Sequence, residues 1–166
     1  ATYVQPRFSS DVSVANMTLL DDATVDMNAR NLVVSSQLEL DSGATLEVKE
    51  GDLSVLTLDN EGTVQLYGQT TQTVAITNLD ADSGTFEFTG DSDVAETFIL
   101  KDYGAVDYFN LVINDNDGGA ADTFRTNADL VVRGTLTVTA STIDLATNSN
   151  VLTAGLAGVG GITVDG

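Results

Sequence analysis

Oxygen-bearing side chains are crowded into one short stretch of the chain, NDNDGG, which ends in two glycines. Carboxylate and amide oxygens are the ligands that calcium prefers, and glycines let a backbone fold around an ion. The bidentate glutamate of an EF-hand loop is missing downstream, so that motif is excluded. Two alternatives follow: a solvated turn, or a calcium site formed by Asn114, Asp115, Asn116 and Asp117. The stretches 80–84 and 90–93 are weaker candidates of the same kind.

A second set of carboxylates recurs at equivalent positions of a repeat: Asp26, Glu47, Glu87 and Asp144. Paired carboxylates can hydrolyse glycosides, and Arg125 and Arg133 could hold an acidic substrate. The same acids are, however, what any solvated sheet face displays. The chain has no His and no Cys, which excludes a Ser-His-Asp triad, His or Cys zinc sites, and disulfides. We predict a protein that is not an enzyme and requires no cofactor, with a polysaccharide-active enzyme as a third hypothesis.

The charge of the chain excludes some classes of binding partner. Asp and Glu number 25 against 6 Lys and Arg, for a formal charge of −19 over 166 residues. Such a surface repels nucleic acid and anionic lipid, and no apolar run approaches the roughly 18 residues of a membrane span. The chain begins ATYVQ without a Met, which favours a mature N-terminus after signal-peptide removal. We therefore expect a secreted, extracellular or cell-surface protein that binds no nucleic acid and does not insert into membranes.

The positions of the acids are set by an internal repeat of about 20 residues. One apolar column is formed by the second residues of the stretches DVSV, NLVV, DLSV, TVAI, NLVI, DLVV and NVLT. Its members are Val12, Leu32, Leu53, Val74, Leu111, Leu130 and Val151. A second column holds apolar pairs that flank one polar residue, as in TLEVK and TFEFT. Its first members are Val25, Leu46, Val64, Phe86, Ile143 and Ile162. This alternation predicts strands with one face inward and the other, which carries the acids, in water.

Recurrence of one strand sequence favours a particular all-β architecture. Helical periodicity is nearly absent, and equivalent residues that recur once per repeat would stack into inward ladders of a coil. We predict a single-domain parallel β-solenoid, or β-helix, of about eight turns with roughly 20 residues per turn. A β-sandwich or jelly roll is the alternative. The expected organisation is an N-terminal segment at 1–10 and a solenoid domain at 11–166.

The solenoid pattern is interrupted by an irregular excursion at 91–110. It contains Phe98, Tyr103, Tyr108 and Phe109. Two interpretations remain open for these aromatic residues. They form a plug at a local widening of the core, or they belong to a loop that binds a ligand.

About half of the chain, from Ser83 to Gly155, resembles the repeats of secreted bacterial β-solenoid surface proteins. Those repeats join a GTxxFxG strand, an aromatic FxNLxIN strand and a GxLTVxxGTLDL strand. The second matches at Phe109, Asn110, Leu111 and Ile113, and the third at Gly134, Leu136, Thr137, Val138, Thr142, Asp144 and Leu145. Ser141 stands where glycine is common. The resemblance implies an adhesin, a surface-layer protein or a fibre component, and it implies no catalytic residues.

The two ends of such a coil suggest its function. A solenoid exposes unpaired backbone groups at its ends unless a helix or loop covers them, and the sequence shows no such cap. We predict a subunit of an extracellular filament or surface appendage that assembles head to tail with copies of itself by strand addition. The predicted joint residues are Tyr3, Val4, Phe8, Ile162 and Val164. The alternative is an adhesin segment that uses the excursion to bind a glycan or a host protein.

Overall fold

A computed structural model describes residues 5–91, 94–115, 120–139, 141–145, 150–155 and, for the backbone alone, 162–165. Every strand pairing in this part of the chain is parallel, and it contains no helix, so none that could cross a membrane. The chain is a parallel β-solenoid of about six turns with about 21 residues each. Its strands are β1 (Val12–Leu19), β2 (Thr24–Asp26), β3 (Leu32–Leu40), β4 (Thr45–Lys49), β5 (Leu53–Asn60), β6 (Thr63–Leu66), β7 (Val74–Asp80), β8 (Thr85–Phe88), β9 (Thr97–Leu100), β10 (Asn110–Asn114), β11 (Thr123–Thr126), β12 (Leu130–Val132), β13 (Leu136–Thr139), β14 (Thr142–Asp144), β15 (Leu152–Ala154) and β16 (Ile162–Asp165).

One sheet runs through all the turns, and we call it the spine sheet. Its strand order is β2-β4-β6-β8-β10-β13-β16. The inward ladder passes from Leu46 to Val64 and from Val64 to Phe86, as the repeat predicts. Leu46 and Val64 are fully buried and Phe86 is 3% exposed. The solenoid therefore stacks the apolar members of successive repeats directly above one another.

The opposite wall of the coil differs between the two halves of the chain. In the first half it is a single sheet of long strands, β1-β3-β5-β7, which we call the long sheet. The pairing register of β3 shifts near the middle of the strand against both of its neighbours, at Val14/Asn16 of β1 and at Val34/Gln37 against β5. In the second half the wall is divided into two short sheets, β9-β11-β14 and β12-β15. The cross-section thus changes from two faces to three.

The repeat-based prediction placed several residues in the wrong column. Leu111, placed with Val74, pairs instead with Phe86 in the spine sheet, while Ile143, placed with Phe86, pairs with Phe124 in a short sheet. Leu130 pairs with Leu152, one residue beyond the predicted Val151. The prediction of eight turns was too high for the same reason: Leu111 follows Phe86 by 25 positions, so the later turns are longer and fewer than an even repeat suggests.

Polar side chains fasten successive turns at one corner of the long sheet. The backbone N–H of Asn31 donates to Asp11 Oδ1 at 2.9 Å, that of Asp52 to Asn31 Oδ1 at 3.1 Å, and that of Thr73 to Asp52 Oδ1 at 2.8 Å. Each side chain in this corner column accepts from the turn that follows it. The column repeats the first residue of the DVSV, NLVV and DLSV stretches, so the repeat encodes lateral hydrogen bonds as well as the core.

The N-terminal segment adds a short rung to the spine sheet. Arg7 forms a parallel bridge with Asp26, and the N–H of Phe8 donates to Asp26 O at 3.0 Å. Asp26 is only 3% exposed, so the prediction that all the ladder acids face water was wrong at this position. Its carboxylate contacts Arg7 Nε at 2.7 Å and Lys49 Nζ at 3.0 Å. The segment covers Asp26, and the two cations compensate for the loss of water.

Candidate functional site

A cleft opens where the long sheet ends and the short sheets begin. It lies between the start of β7 and the whole of β9, and its volume is about 390 Å³. Specific ligand sites commonly have volumes of 300 Å³ and above. The cleft is lined by Thr70, Gln72, Thr73, Val74, Phe86, Phe88, Thr97, Phe98, Ile99, Leu100, Lys101, Asp102, Tyr103, Tyr108 and Asn127. Its lining combines an aromatic interior with hydroxyl and amide groups.

Aromatic rings form the floor of this cleft. Phe88 packs on Phe98 with 5.0 Å between ring centroids and on Phe124 with 5.5 Å. Phe86 meets Tyr108 edge to face at 5.2 Å. Phe98 and Tyr108 are buried at 8% and 1% exposure, so these two excursion aromatics fill the core at the widening. Such edge-to-face and tilted pairs stabilise the floor beyond their burial alone.

One wall of the cleft is the loop that follows β9, and Asp107 fastens it. This fully buried carboxylate accepts the N–H of Tyr103 at 2.6 Å and the N–H of Val131 at 2.7 Å. Burial raises the pKa of Asp107 above its ordinary value, although these hydrogen bonds oppose the shift. Burial likewise raises the pKa of Tyr103 well above 10, and Lys101 Nζ lies 5.3 Å from the Tyr103 ring centre. The loop is therefore held to the next turn from inside.

The rim of the cleft is acidic beside Thr70. Glu96 Oε2 accepts the Thr70 N–H at 2.7 Å, and the Glu96 N–H donates to Asp122 Oδ1 at 2.7 Å. Burial raises the pKa of Asp122, and the carboxylates of Asp115, Asp91 and Glu96 raise it further. Negative potential thus gathers at this side of the opening, where it favours cations over anions.

The predicted calcium residues lie next to this acidic rim. Asp115 is buried and accepts the N–H of Asp122, while Asn114 Nδ2 donates to Glu87 Oε1 at 3.5 Å. Asn116 and Asp117 lie outside the described residues. Within the described ranges, no three acidic side chains converge as metal ligands would. The calcium site stays a prediction for the stretch as a whole.

The predicted joint residues are only partly within the described structure. Phe8 is half-buried and packs on the core of its own chain. Ile162 and Val164 lie in β16, where their backbones pair with Leu136 and Val138. Tyr3 and Val4 fall outside the described residues, and so do the side chains of β16. The assembly role of all five stays a prediction.

Three of the four ladder acids that could act as a catalytic pair have cationic neighbours, and the fourth, Glu87, accepts a hydrogen bond from Gln65 Nε2 at 2.8 Å. Asp26 is held by Arg7 and Lys49, and Lys49 also reaches Glu47 at 3.0 Å. Further along the rod, Arg125 Nε contacts Asp144 at 2.9 Å. These contacts account for the positions of Asp26, Glu47 and Asp144 through ion pairing. The cleft, by contrast, offers hydrogen-bonding and apolar surface, which is the chemistry of binding.

Sequence reasoning located the excursion but not the other side of the cleft. The other side is formed by Thr70, Gln72 and Thr73. These residues belong to a regular repeat, and no sequence pattern distinguishes them from other repeat positions. The available signal was the 37-residue gap between Val74 and Leu111, because it is too long for one regular turn and too short for two. Comparison of the chain with protein-family models, curated proteins and solved structures finds no match.

Proposed function

We propose that this protein is an extracellular structural subunit that assembles head to tail into a filament or surface appendage. The observation that supports the proposal is the incomplete burial of β1, the first strand of the long sheet. Its core-facing Val12, Val14 and Met17 are half-buried, whereas their ladder partners in β3 are at most 1% exposed. A further turn laid on β1 would cover these side chains and gain the free energy of apolar burial.

The backbone of β1 supports the same proposal. The Val12 N–H donates to Asn31 O, so the backbone groups of Val12 face β3. Backbone groups alternate sides along a strand, which directs those of Ser13 away from β3. In the described part of the chain β1 pairs with β3 alone. An unpaired edge of eight residues is a template for another strand.

The corner column gives the joint a direction. Asp11, Asn31 and Asp52 each accept an N–H from the turn on their C-terminal side. Only a head-to-tail neighbour continues this pattern, because a head-to-head neighbour would oppose two identical edges. A head-to-tail contact that does not close on itself generates a filament.

Electron microscopy of the purified chain tests the proposal. We expect uniform, unbranched filaments whose formation slows when Met17 is changed to Asp, since a carboxylate would then be buried in the joint. The matched control is Leu56→Asp, in which the residue changed lies 46% exposed on the outer face of β5. Monomers at all concentrations, or filaments that form equally well with both variants, would refute end-to-end assembly through β1.

A further inference from the structure

A second unpaired edge lies within the molecule, at the cleft. The Thr123 N–H donates to Glu96 O at 2.9 Å, so the backbone groups of Glu96 and Phe98 face β11. Because these groups alternate along a strand, the N–H and C=O groups of Thr97 and Ile99 face away from β11. All four residues of β9 line the cleft. That is expected where a backbone edge forms the wall, since a sheet face would present only alternate residues.

The opposite wall of the cleft shows the same condition. The Leu53 N–H donates to Thr73 O, which directs the backbone groups of Val74 away from β5. In the described residues β7 pairs with β5 alone, and β9 with β11 alone. Val74 and Leu79 are half-buried, whereas their partners Leu53 and Leu58 are fully buried. The rung that would join β7 to β9 is therefore missing from the described chain.

We propose that the cleft binds an extended segment of another protein, which pairs with the edge of β9 by strand addition. The inward side chains of this segment are apolar, because they meet the aromatic floor formed by Phe86 and Phe98. Its outward side chains are basic, because Asp102 lines the cleft and Glu96 is bonded to the lining residue Thr70, against a single lining cation, Lys101, on a chain of charge −19. This site is separate from the β1 edge used in assembly.

A second copy of this chain is the less favourable occupant on grounds of charge. Its strands carry acids on their outer faces, and only 6 of its 166 residues are Lys or Arg. Bringing one of these strands to the rim would place like charges side by side, which opposes association. An alternating apolar and basic segment meets both the floor and the rim.

The test uses a capped octapeptide that alternates valine with lysine, titrated calorimetrically into the full chain. We expect binding, together with slower amide hydrogen exchange at Thr97 and Ile99. The same peptide with its valine nitrogens methylated should bind roughly tenfold more weakly, because backbone pairing is lost while charge is kept. A peptide that alternates valine with glutamate should not bind measurably.

Variants of the chain locate the site. Ile99→Pro removes an N–H that faces the cleft and that the β9–β11 ladder does not use, so affinity should fall about fivefold. Ile99→Ala keeps this N–H and should retain binding, and the thermal midpoint of each variant checks its folding. Glu96→Gln should weaken binding, whereas Glu61→Gln, a matched change at an exposed turn of the first half, should leave it unchanged.

The opposite results overturn the proposal. Equal affinity for the methylated peptide would mean that charge attraction alone, without backbone pairing, explains the binding. Equal affinity of the two Ile99 variants would mean that the peptide binds outside the β9 edge. A neutral hexasaccharide that binds and is not displaced by the peptide would assign the cleft to glycans. Filaments without peptide binding would overturn this inference alone, while peptide binding without filaments would leave it standing and refute only the assembly at β1.

Discussion

The two halves of the solenoid fill their hydrophobic cores in different ways. In the first half, aliphatic ladders such as Leu32–Leu53 and Leu38–Leu58 are fully buried between two broad sheets. In the second half, the wall is divided into strands of three or four residues, and aromatic rings fill the wider core at the junction. A regular ladder is stabilised by repetition, whereas an irregular turn depends on particular side chains.

Polar contacts show the same difference. The corner column of the first half consists of exposed side chains that repeat from turn to turn. The second half keeps one contact of this kind, in which Asp129 Oδ1 accepts the Val151 N–H at 2.8 Å. It adds less exposed contacts: buried Asp107, and Asn110, whose Oδ1 accepts the Thr135 N–H at 3.0 Å while its Nδ2 donates to Gly84 O at 3.1 Å. Loss of one such contact leaves buried backbone groups without a partner, which costs more than loss of an exposed one.

The largest effect is expected from a cavity in the regular half. Leu46 is fully buried between Val25 and Val64 in the spine sheet. Leu46→Ala should lower the free energy of unfolding by about 3 kcal/mol, because the stacked neighbours can close the space only in part. Urea titration measures the change. Leu56→Ala, at a site 46% exposed, should change it by less than about 0.5 kcal/mol; similar losses would show that the ladder is not the main source of stability.

An intermediate and local effect is expected at the irregular half. Asp107→Ala leaves the N–H groups of Tyr103 and Val131 without their acceptor, at a cost of about 2 kcal/mol. Hydrogen exchange should accelerate at 101–108 and 130–132 while β3 and β5 keep their protection. Asp107→Asn, which retains one acceptor oxygen, should have a smaller effect. Uniform acceleration along the chain would mean that the two halves unfold as one unit.

The smallest effect concerns pH at the acidic rim. The folded-state pKa of Asp122 lies above its ordinary value of 3.8, so the folded state binds the proton more tightly than the unfolded state. Its stabilising contribution is complete below pH 3.8 and is lost as pH rises through the folded-state pKa. Asp122→Asn should therefore raise the free energy of unfolding by up to about 1 kcal/mol at pH 7 and by less at pH 4. The thermal midpoint at the two pH values measures the difference.

A matched carboxylate of the first half provides the opposite sign. Burial alone would raise the pKa of Asp26, but hydrogen bonds from Lys49, the Asn28 N–H and Arg7 lower it below 3.8. Its contribution is present above pH 3.8 and is lost as pH falls through the lowered folded-state value. Asp26→Asn should therefore destabilise the chain at pH 7. Parallel pH profiles for the two variants would contradict the contrast between the rim and the ion-paired site.

Local pattern predicted the regular half and failed at the junction. The stacking of Leu46, Val64 and Phe86 was predictable because each follows a threonine and is followed by a polar and then an apolar residue. Leu111 was misplaced because NLVI resembles NLVV of the long sheet, yet it follows a longer turn and joins the spine sheet. The cleft was not predictable, because Thr70 and Thr97 become neighbours only through a break in pairing. Nothing in the local sequence marks Asp107, since its burial depends on where the loop returns.

The early turns have nearly constant length, so the number of turns sets the length of this half of the molecule. Each turn advances the rod by one strand spacing, about 4.8 Å, and presents the same apolar and polar edge as the one before. Excising a whole turn such as 32–52, which carries one member of each ladder, would bring Val12 onto Leu53 with like residues still facing like. The rod would shorten by a single increment with its pattern unbroken. Beyond Phe86 successive spine partners lie 25, 25 and 26 residues apart, so a turn of that half uses about four more residues for the same advance of the rod.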